Sequence, residues 1–266
     1  MADVAAQVPG IDTSTPSIAR VYDYLLGGKD NFACDRAVAT QLAGAVPDLT
    51  LMAQQNRAFL GRVVRFLADQ GIRQFVDIGT GLPTQNNVHQ VAQSVVPDAH
   101  VVYVDNDPIV LAHARALLAE NANTIVIEGD LRAPAEILAH PDLVRLIDLD
   151  QPVAVLLVGI LYFFPAEDRP FEIVETLRDA VAPGSFVALS HVVSDVEPEA
   201  IGAAQEIYRG FLHRTGDARR TLAQVSEFFT GLDLVEPGLV PVGDWRADGT
   251  DPSPATSMFG GVGRKP

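Results

Sequence analysis

The chain has 266 residues, 48% of them apolar and 20% charged, a balance that belongs to a folded globular protein and excludes a disordered one. Acidic residues number 34 against 19 basic ones, for a formal charge of −15, and no basic run is longer than a pair such as Arg219-Arg220. Such a surface repels DNA and RNA, whose phosphates demand clustered Lys and Arg, and the single cysteine, Cys34, excludes an intrachain disulfide or a cysteine-rich metal site.

In chain order, residues 1–14 show no periodicity and read as a loose tail without the basic start and apolar core of a secretory leader. Ile18, Val21, Tyr22, Leu25 and Leu26 then recur at helical spacing, with Ser14 or Thr15 available as N-cap and Gly27-Gly28 as the stop. A second amphipathic helix runs from Gln54 to Ala68 through Phe59, Leu60, Val63, Val64 and Leu67. From Gln74 onward strands and helices alternate. The strands are Phe75–Ile78, Val101–Val104, Thr124–Ile127, Val153–Val158 and Ser185–Ser190. Helices near Asn87–Ser94, Asp107–Leu118, Ala133–Leu138 and Phe171–Ala180 separate them, the second opened by Asp107 as N-cap with Pro108 at the first position. A longer helical region, Pro198–Phe229, and two strand-like pieces, Leu234–Val242 and Ser257–Val262, close the chain. Alternation of this kind implies a Rossmann-like, doubly wound α/β sheet with helices on both faces. The longest uncharged apolar run, Pro152–Pro165, is shorter than the roughly 20 residues that span a bilayer, so no membrane segment is expected.

Ligands of an open parallel sheet bind beyond the carboxyl ends of its strands, where strand order reverses. The loop after the first strand, Asp77-Ile78-Gly79-Thr80-Gly81, allows close backbone approach to a ligand. Asp105, with Asn106 beside it, ends the second strand, where a carboxylate can accept from both ribose hydroxyls of an adenosine. Asp130 follows the third, placed to accept from an adenine amino group while Leu131 packs on the ring. Each acid alone reads equally as a helix cap or a solvated loop residue; three at consecutive strand ends make an adenosine site. Gly159 stands at the same level after the fourth strand. A dinucleotide fingerprint needs a third small residue where this chain has Thr84, and it tolerates no acid at Asp77, which would oppose a pyrophosphate. Facing the α-ammonium of a methionine-type cofactor, Asp77 is favourable. The electrostatics point to S-adenosylmethionine.

The stretches Ser17-Ile18-Ala19-Arg20-Val21-Tyr22-Asp23-Tyr24-Leu25-Leu26-Gly27-Gly28-Lys29-Asp30-Asn31-Phe32, Asp77-Ile78-Gly79-Thr80-Gly81-Leu82-Pro83-Thr84, Val102-Tyr103-Val104-Asp105-Asn106-Asp107-Pro108 and Leu234-Val235-Glu236-Pro237-Gly238-Leu239-Val240 resemble a bacterial S-adenosyl methyltransferase family of unassigned substrate. The resemblance extends from about Pro16 to the C-terminus and implies a seven-stranded sheet, its last strand antiparallel, under an N-terminal helical cap. On that plan residues 1–14 are tail, 15–70 cap, and 71–266 the cofactor-binding domain, one globular unit with the cap. Where the family often has His after the fourth strand, this chain has Leu161-Tyr162-Phe163.

Methyl transfer from a sulfonium is an in-line displacement that positioning alone can accelerate; a base is needed only if the acceptor must lose a proton. His191 after the fifth strand and Tyr162 after the fourth are the candidate catalytic residues, His191 reading equally as a structural hydrogen-bonder. The remaining histidines show no ligand spacing, and no metal is expected. Tyr22, Tyr24 and Asn31 are candidates to line the pocket, the tyrosines reading equally as apolar anchors of their helix; Asp30 and Asn31, past the double glycine, are the better ligand candidates. The expected reaction is cytoplasmic methyl transfer to a small molecule, since no Asn/Asp-Pro-Pro-aromatic motif for an exocyclic base amine follows the fourth strand. An NAD-dependent oxidoreductase and a non-catalytic protein that binds S-adenosylmethionine or its demethylated product are the competing readings.

Overall fold

The computed structural model describes residues 12–83, 86–118, 121–212, 216–247, 249 and 256–266. Three helices come first: α1 (Ile18–Leu25), α2 (Ala33–Ala45) and α3 (Leu49–Asp69). Helix α1 buries Val21 and Leu25 of the expected stripe, but its N-cap is Ser17 rather than Ser14 or Thr15. The reason lies across the chain: the buried carboxylate of Asp35, in α2, accepts the Ser17 amide at 3.0 Å and the Phe32 amide at 2.7 Å. One acid therefore satisfies orphan N–H groups at the start of two helices. Helix α3 begins well before Gln54 and buries Phe59, Leu60, Val63, Val64 and Leu67 against the sheet.

The strands are β1 (Gln74–Ile78), β2 (His100–Asp105), β3 (Thr124–Glu128), β4 (Ala154–Val158), β5 (Phe186–Val192), β6 (Asp233–Leu234), β7 (Val240–Pro241) and β8 (Met258–Arg264). They lie in the order β3-β2-β1-β4-β5-β8-β6, with β7 also paired to β8. Strands β1 to β5 are parallel, and β8 runs antiparallel to β5, as the family plan implies. The expected strand Leu234–Val242 is split into β6 and β7, both on β8, which raises the count from seven to eight. The interruption falls at Pro237-Gly238, where proline has no N–H to offer a ladder.

The remaining helices are α4 (Val88–Val95), α5 (Pro108–Leu117), α6 (Pro134–Leu138), α7 (Pro141–Leu146), α8 (Pro170–Ala180), α9 (Pro198–Leu212) and α10 (Leu222–Ser226). The long helical region expected over 198–229 is thus two helices. Because side chains alternate along a strand, each strand feeds two cores. Phe75, Tyr103, Leu156 and Ala188 pack with the residues of α3, α4 and α9, while Val76, Val102, Leu157 and Leu189 pack with those of α6, α7, α8 and α10. Strand order reverses between β1 and β4, which opens a cleft beyond their carboxyl ends. Asp77, two residues after Phe75, lies on the α3 side of that cleft.

Candidate active site

A cavity of about 560 Å³ occupies this cleft, within the usual range for small-molecule sites. The strand ends supply its floor: Asp77 near the end of β1 with Gly79, Thr80 and Gly81 after it, Asp105 at the end of β2 with Asn106 after it, Asp130 and Leu131 after β3, and Gly159 after β4 all line it. Gly79 and Gly159 hold φ of +77° and +75°, a region that side-chain-bearing residues rarely adopt. Both are also sterically bound to glycine, since a Cβ would come within 2.7 Å of Ile160 at the first and 2.9 Å of Asn56 at the second.

Asp77 is 5% exposed, and burial pushes its carboxyl up to about 7, only partly opposed by the positive charge of Arg57. The Thr80 hydroxyl donates to the Asp77 main-chain oxygen at 2.9 Å and closes the turn. Burial also raises the pKa of Asp105, whose two oxygens accept the Gly81 and Asp107 amides, each at 2.9 Å. These bonds fix the carboxylate between the first two loops and leave each oxygen a further lone pair. Asp130 is gripped by a fork from Arg132, whose Nε lies 3.0 Å from both carboxylate oxygens. Leu131 is buried beside Gly129 in the same loop.

The walls come from outside the sheet. Tyr22 of α1 lines the cavity, with its hydroxyl donating to Ala53 O (3.0 Å) and accepting from Asn56 Nδ2 (3.1 Å). Asn56 Oδ1 accepts in turn from Ser190 at 2.6 Å. Arg57 donates to Asn87 Oδ1 at 3.0 Å and reaches the cavity beside Asp77. Asn56, Arg57 and the α9 residue Tyr208 were not singled out from the sequence. They sit on helices remote from the strand-end loops, and no spacing rule links them to those loops.

Four sequence candidates do not line the cavity: Tyr24, which is exposed, Asp30, Asn31 and His191. Asn31 is occupied within its own loop: its amide nitrogen donates to Asp23 at 2.9 Å and to Gly28 O at 3.1 Å, and its oxygen accepts from Arg36 at 3.1 Å. Asp30 likewise turns toward Asp23, through its amide N–H at 2.9 Å. Asn31→Ala is accordingly expected to lower Tm by a few degrees while leaving cofactor affinity within about twofold, as calorimetry would read it; a bond to a charged group contributes about 1.5–3 kcal/mol to the fold. His191 is fully buried on the α8 side of β5, with Nδ1 2.6 Å from Val192 O and Nε2 3.1 Å from Arg220 Nη1. Because Arg220 can only donate, the tautomer is set: Nδ1 carries the proton and the Nε2 lone pair is taken. Burial, followed by the charge of Arg220, holds this imidazole down at about 3, and both its nitrogens are engaged by groups that do not belong to the cofactor loops. Tyr162 does line the cavity. Among the described residues no group of His, Cys, Asp and Glu is arranged to hold a metal; Thr84 and His213 lie outside them.

A family model for S-adenosyl methyltransferases matches residues 4–266, nearly the whole chain. The chain belongs to the S-adenosyl methyltransferase family. A duf574 family protein from Streptomyces avermitilis is 40% identical, with a TM-score of 0.91 and coverage of 96% of this chain and 99% of that one. A Thermobifida fusca protein assigned as a methyltransferase is 45% identical, also at a TM-score of 0.91, over 98% and 99% of the two chains. A Mycobacterium marinum protein assigned as an S-adenosyl-L-methionine-dependent methyltransferase is 30% identical over 225 residues; the match covers 79% of this chain and 65% of that relative.

The residues present fit the family's cofactor, S-adenosylmethionine. A buried carboxyl whose ionisation is penalised, Asp77, suits an incoming ammonium group, and a carboxylate already oriented by two amides, Asp105, suits a pair of hydroxyls. The match to an S-adenosyl methyltransferase family model over residues 4–266 stands against the oxidoreductase alternative.

Proposed function

We propose that this chain transfers the methyl group of S-adenosylmethionine to a small-molecule acceptor, and that it does so in the cytoplasm. The observation that carries the reading is the cavity itself, which joins a polar end at the loops after β1 to β3 with an apolar end beyond Gly159. When bound, the cofactor supplies an electrophilic methyl carbon on a positively charged sulfur. Asp77 would hold the ammonium group, Asp105 and Asn106 the ribose, and Asp130 and Leu131 the adenine. The Gly79 and Gly159 loops would bring main chain close to the reacting centre. Tyr162 would position the acceptor; burial pushes its phenol well above the ordinary tyrosine range, which keeps it protonated and makes it a hydrogen-bonding group and not a base. Rate enhancement then rests on orientation and on the exclusion of water. No helix among the described residues is long and apolar enough to cross a membrane, and the lone cysteine suits a reducing compartment.

Incubation with methyl-deuterated cofactor and a bacterial extract, followed by mass spectrometry, should find the label in low-molecular-weight compounds. Label confined to nucleic acid or protein would overturn the small-molecule reading, and no label anywhere would favour a binding protein without turnover. Asp105→Ala tests the ribose assignment. Loss of hydrogen bonds to a charged acceptor should weaken cofactor binding by about 1.5–3 kcal/mol, or roughly 10- to 150-fold in Kd by calorimetry. Unchanged affinity in a folded variant would mean that the ribose is held elsewhere.

A further inference from the structure

The apolar end of the cavity is made by four separate elements: Tyr22 on α1, Leu60 on α3, Tyr162 and Phe163 in the turn after β4, and Tyr208 on α9. Its aromatic rings are in register with one another. Tyr162 and Phe163 lie 4.3 Å apart between centroids, and Phe163 meets Tyr208 edge-on at 5.1 Å. Burial raises the pKa of Tyr22, Tyr162 and Tyr208, so three neutral phenols face one another across this end. The Tyr22 hydroxyl is used by Ala53 and Asn56. Among the described residues the hydroxyls of Tyr162 and Tyr208 have no hydrogen-bond partner.

Apart from Arg57, the charged lining residues belong to other parts of the cavity. Asp105 ends β2, Asp107 and Asp130 stand in the loops after β2 and β3, Asp12 and Arg20 belong to the N-terminal segment, Asp77 lies in β1, and Arg57 on α3 acts on both Asp77 and Tyr22. Resting on the methyltransferase reading above, we infer that this end receives an uncharged aromatic acceptor, its ring against Tyr22, Tyr162, Phe163 and Tyr208 and a polar rim atom hydrogen-bonded to the Tyr162 and Tyr208 hydroxyls. A cation would lose its hydration here without meeting a carboxylate, and an anion would find only the Arg57 guanidinium, whose charge is already shared between Tyr22 and Asp77. A purely aliphatic one would fill the space and leave two phenols unpaired. A sugar would turn its many hydroxyls toward Leu60 and the ring faces, where nothing answers them. A flat ring with one or two polar substituents satisfies both the aromatic walls, through edge-to-face contacts, and the two donors.

The test uses the full chain saturated with S-adenosylhomocysteine, whose own binding is measured first. Three probes of one shape are then titrated at pH 7 by calorimetry: 2-naphthol, the anion 2-naphthoate and the cation 2-naphthylmethylammonium. 2-Naphthol is expected to bind at least tenfold more tightly than either charged probe. Tyr162→Phe and Tyr208→Phe should each weaken it three- to tenfold. If S-adenosylhomocysteine binds but a charged probe equals or exceeds 2-naphthol, or no probe binds at millimolar concentration, the acceptor inference fails and the methyltransferase reading stands. Equal 2-naphthol affinity in both tyrosine variants would also overturn it, since the two hydroxyls would then make no contact. If S-adenosylhomocysteine itself does not bind, the methyltransferase reading fails with it.

Discussion

Asp77→Asn is expected to weaken S-adenosylmethionine binding by about 30- to 1,000-fold and, at pH 8, to make the cofactor-free protein more stable. The two effects share one cause. Removing one member of a buried charge pair typically costs about 2–4 kcal/mol of binding, because the other charge, here the cofactor's ammonium, is left unpaired. Without cofactor the same carboxylate is a burden. Burial raises its pKa from 3.8 to about 7 in the folded chain. Between these values the unfolded chain gives up the proton while the folded chain keeps it. Stability therefore falls as pH rises through this window and stays lower above it. Asn does not ionise, so the variant should gain a few kcal/mol over the wild type at pH 8 and almost nothing at pH 4. Thermal denaturation of both proteins without cofactor reads this directly. The linkage has a second consequence for binding. Because the ammonium must meet an ionised Asp77, wild-type affinity should fall up to tenfold per pH unit below about 7, and the proton expelled should make the calorimetric enthalpy depend on the buffer. Affinity that is flat from pH 5.5 to 8 would place the ammonium elsewhere.

How far such a site could be read in advance depended on where its residues lie in the chain. Asp77, Gly79, Asp105, Asp130 and Gly159 stand at or just past the ends of strands marked by runs of Val, Ile and Leu, and once those strands are parallel their ends must gather at one edge. Topology did that work. Arg57 and Asn56 occupy turns of α3, and Tyr208 sits on α9, far from any strand end in sequence; their place in the cavity follows from how the helices dock. His191 shows the limit of the loop rule. Strand β5 is buried on both faces, so period-two alternation does not reveal which face any residue takes. Ser190 turns to Asn56 on the α3 side, and His191 therefore turns to Arg220 on the other. Helix α2 went unrecognised because its alanines blur the apolar stripe, and α7 because six residues are too few to display one. Asn31 follows the two glycines that stop α1, a polar residue in a loop where a ligand contact was expected. The carboxylate of Asp23, taking the Asp30 amide and the Asn31 side chain, binds that loop down instead.

Asp35→Ala is expected to lower Tm by roughly 10 °C and to weaken cofactor binding by more than tenfold, although Asp35 does not line the cavity. Asp35 and Arg20 form an ion pair at 2.8 Å, with side chains 0% and 3% exposed. Arg20 also lies over the Phe32 ring and donates to the carbonyls of Asp12 and Thr15. Deleting the carboxylate would strand a buried guanidinium and, in addition, the amides of Ser17 and Phe32, a combined loss of about 3–5 kcal/mol. The damage reaches the cofactor end through Ser17, whose hydroxyl donates to Asp107 at 2.5 Å and so ties the start of α1 to the loop after β2. Ile18, Ala19 and Val21 of that turn line the cavity. If α1 is docked only part of the time, apparent affinity falls by the docked fraction. Asp35→Asn keeps the shape and should fall between the alanine variant and the wild type, which leaves a usable test should Asp35→Ala not fold. The paired change Arg20→Met with Asp35→Leu should recover the part of the loss that comes from the stranded guanidinium, because well-packed apolar side chains of similar volume replace a buried ion pair at little cost, while the Ser17 and Phe32 amides stay unpaired. It should not recover the affinity, since the Ser17 amide still lacks its acceptor and α1 its anchor. A single Asp35→Ala variant that melts within 2 °C of wild type and binds cofactor normally would show that apolar packing alone holds α1 in place.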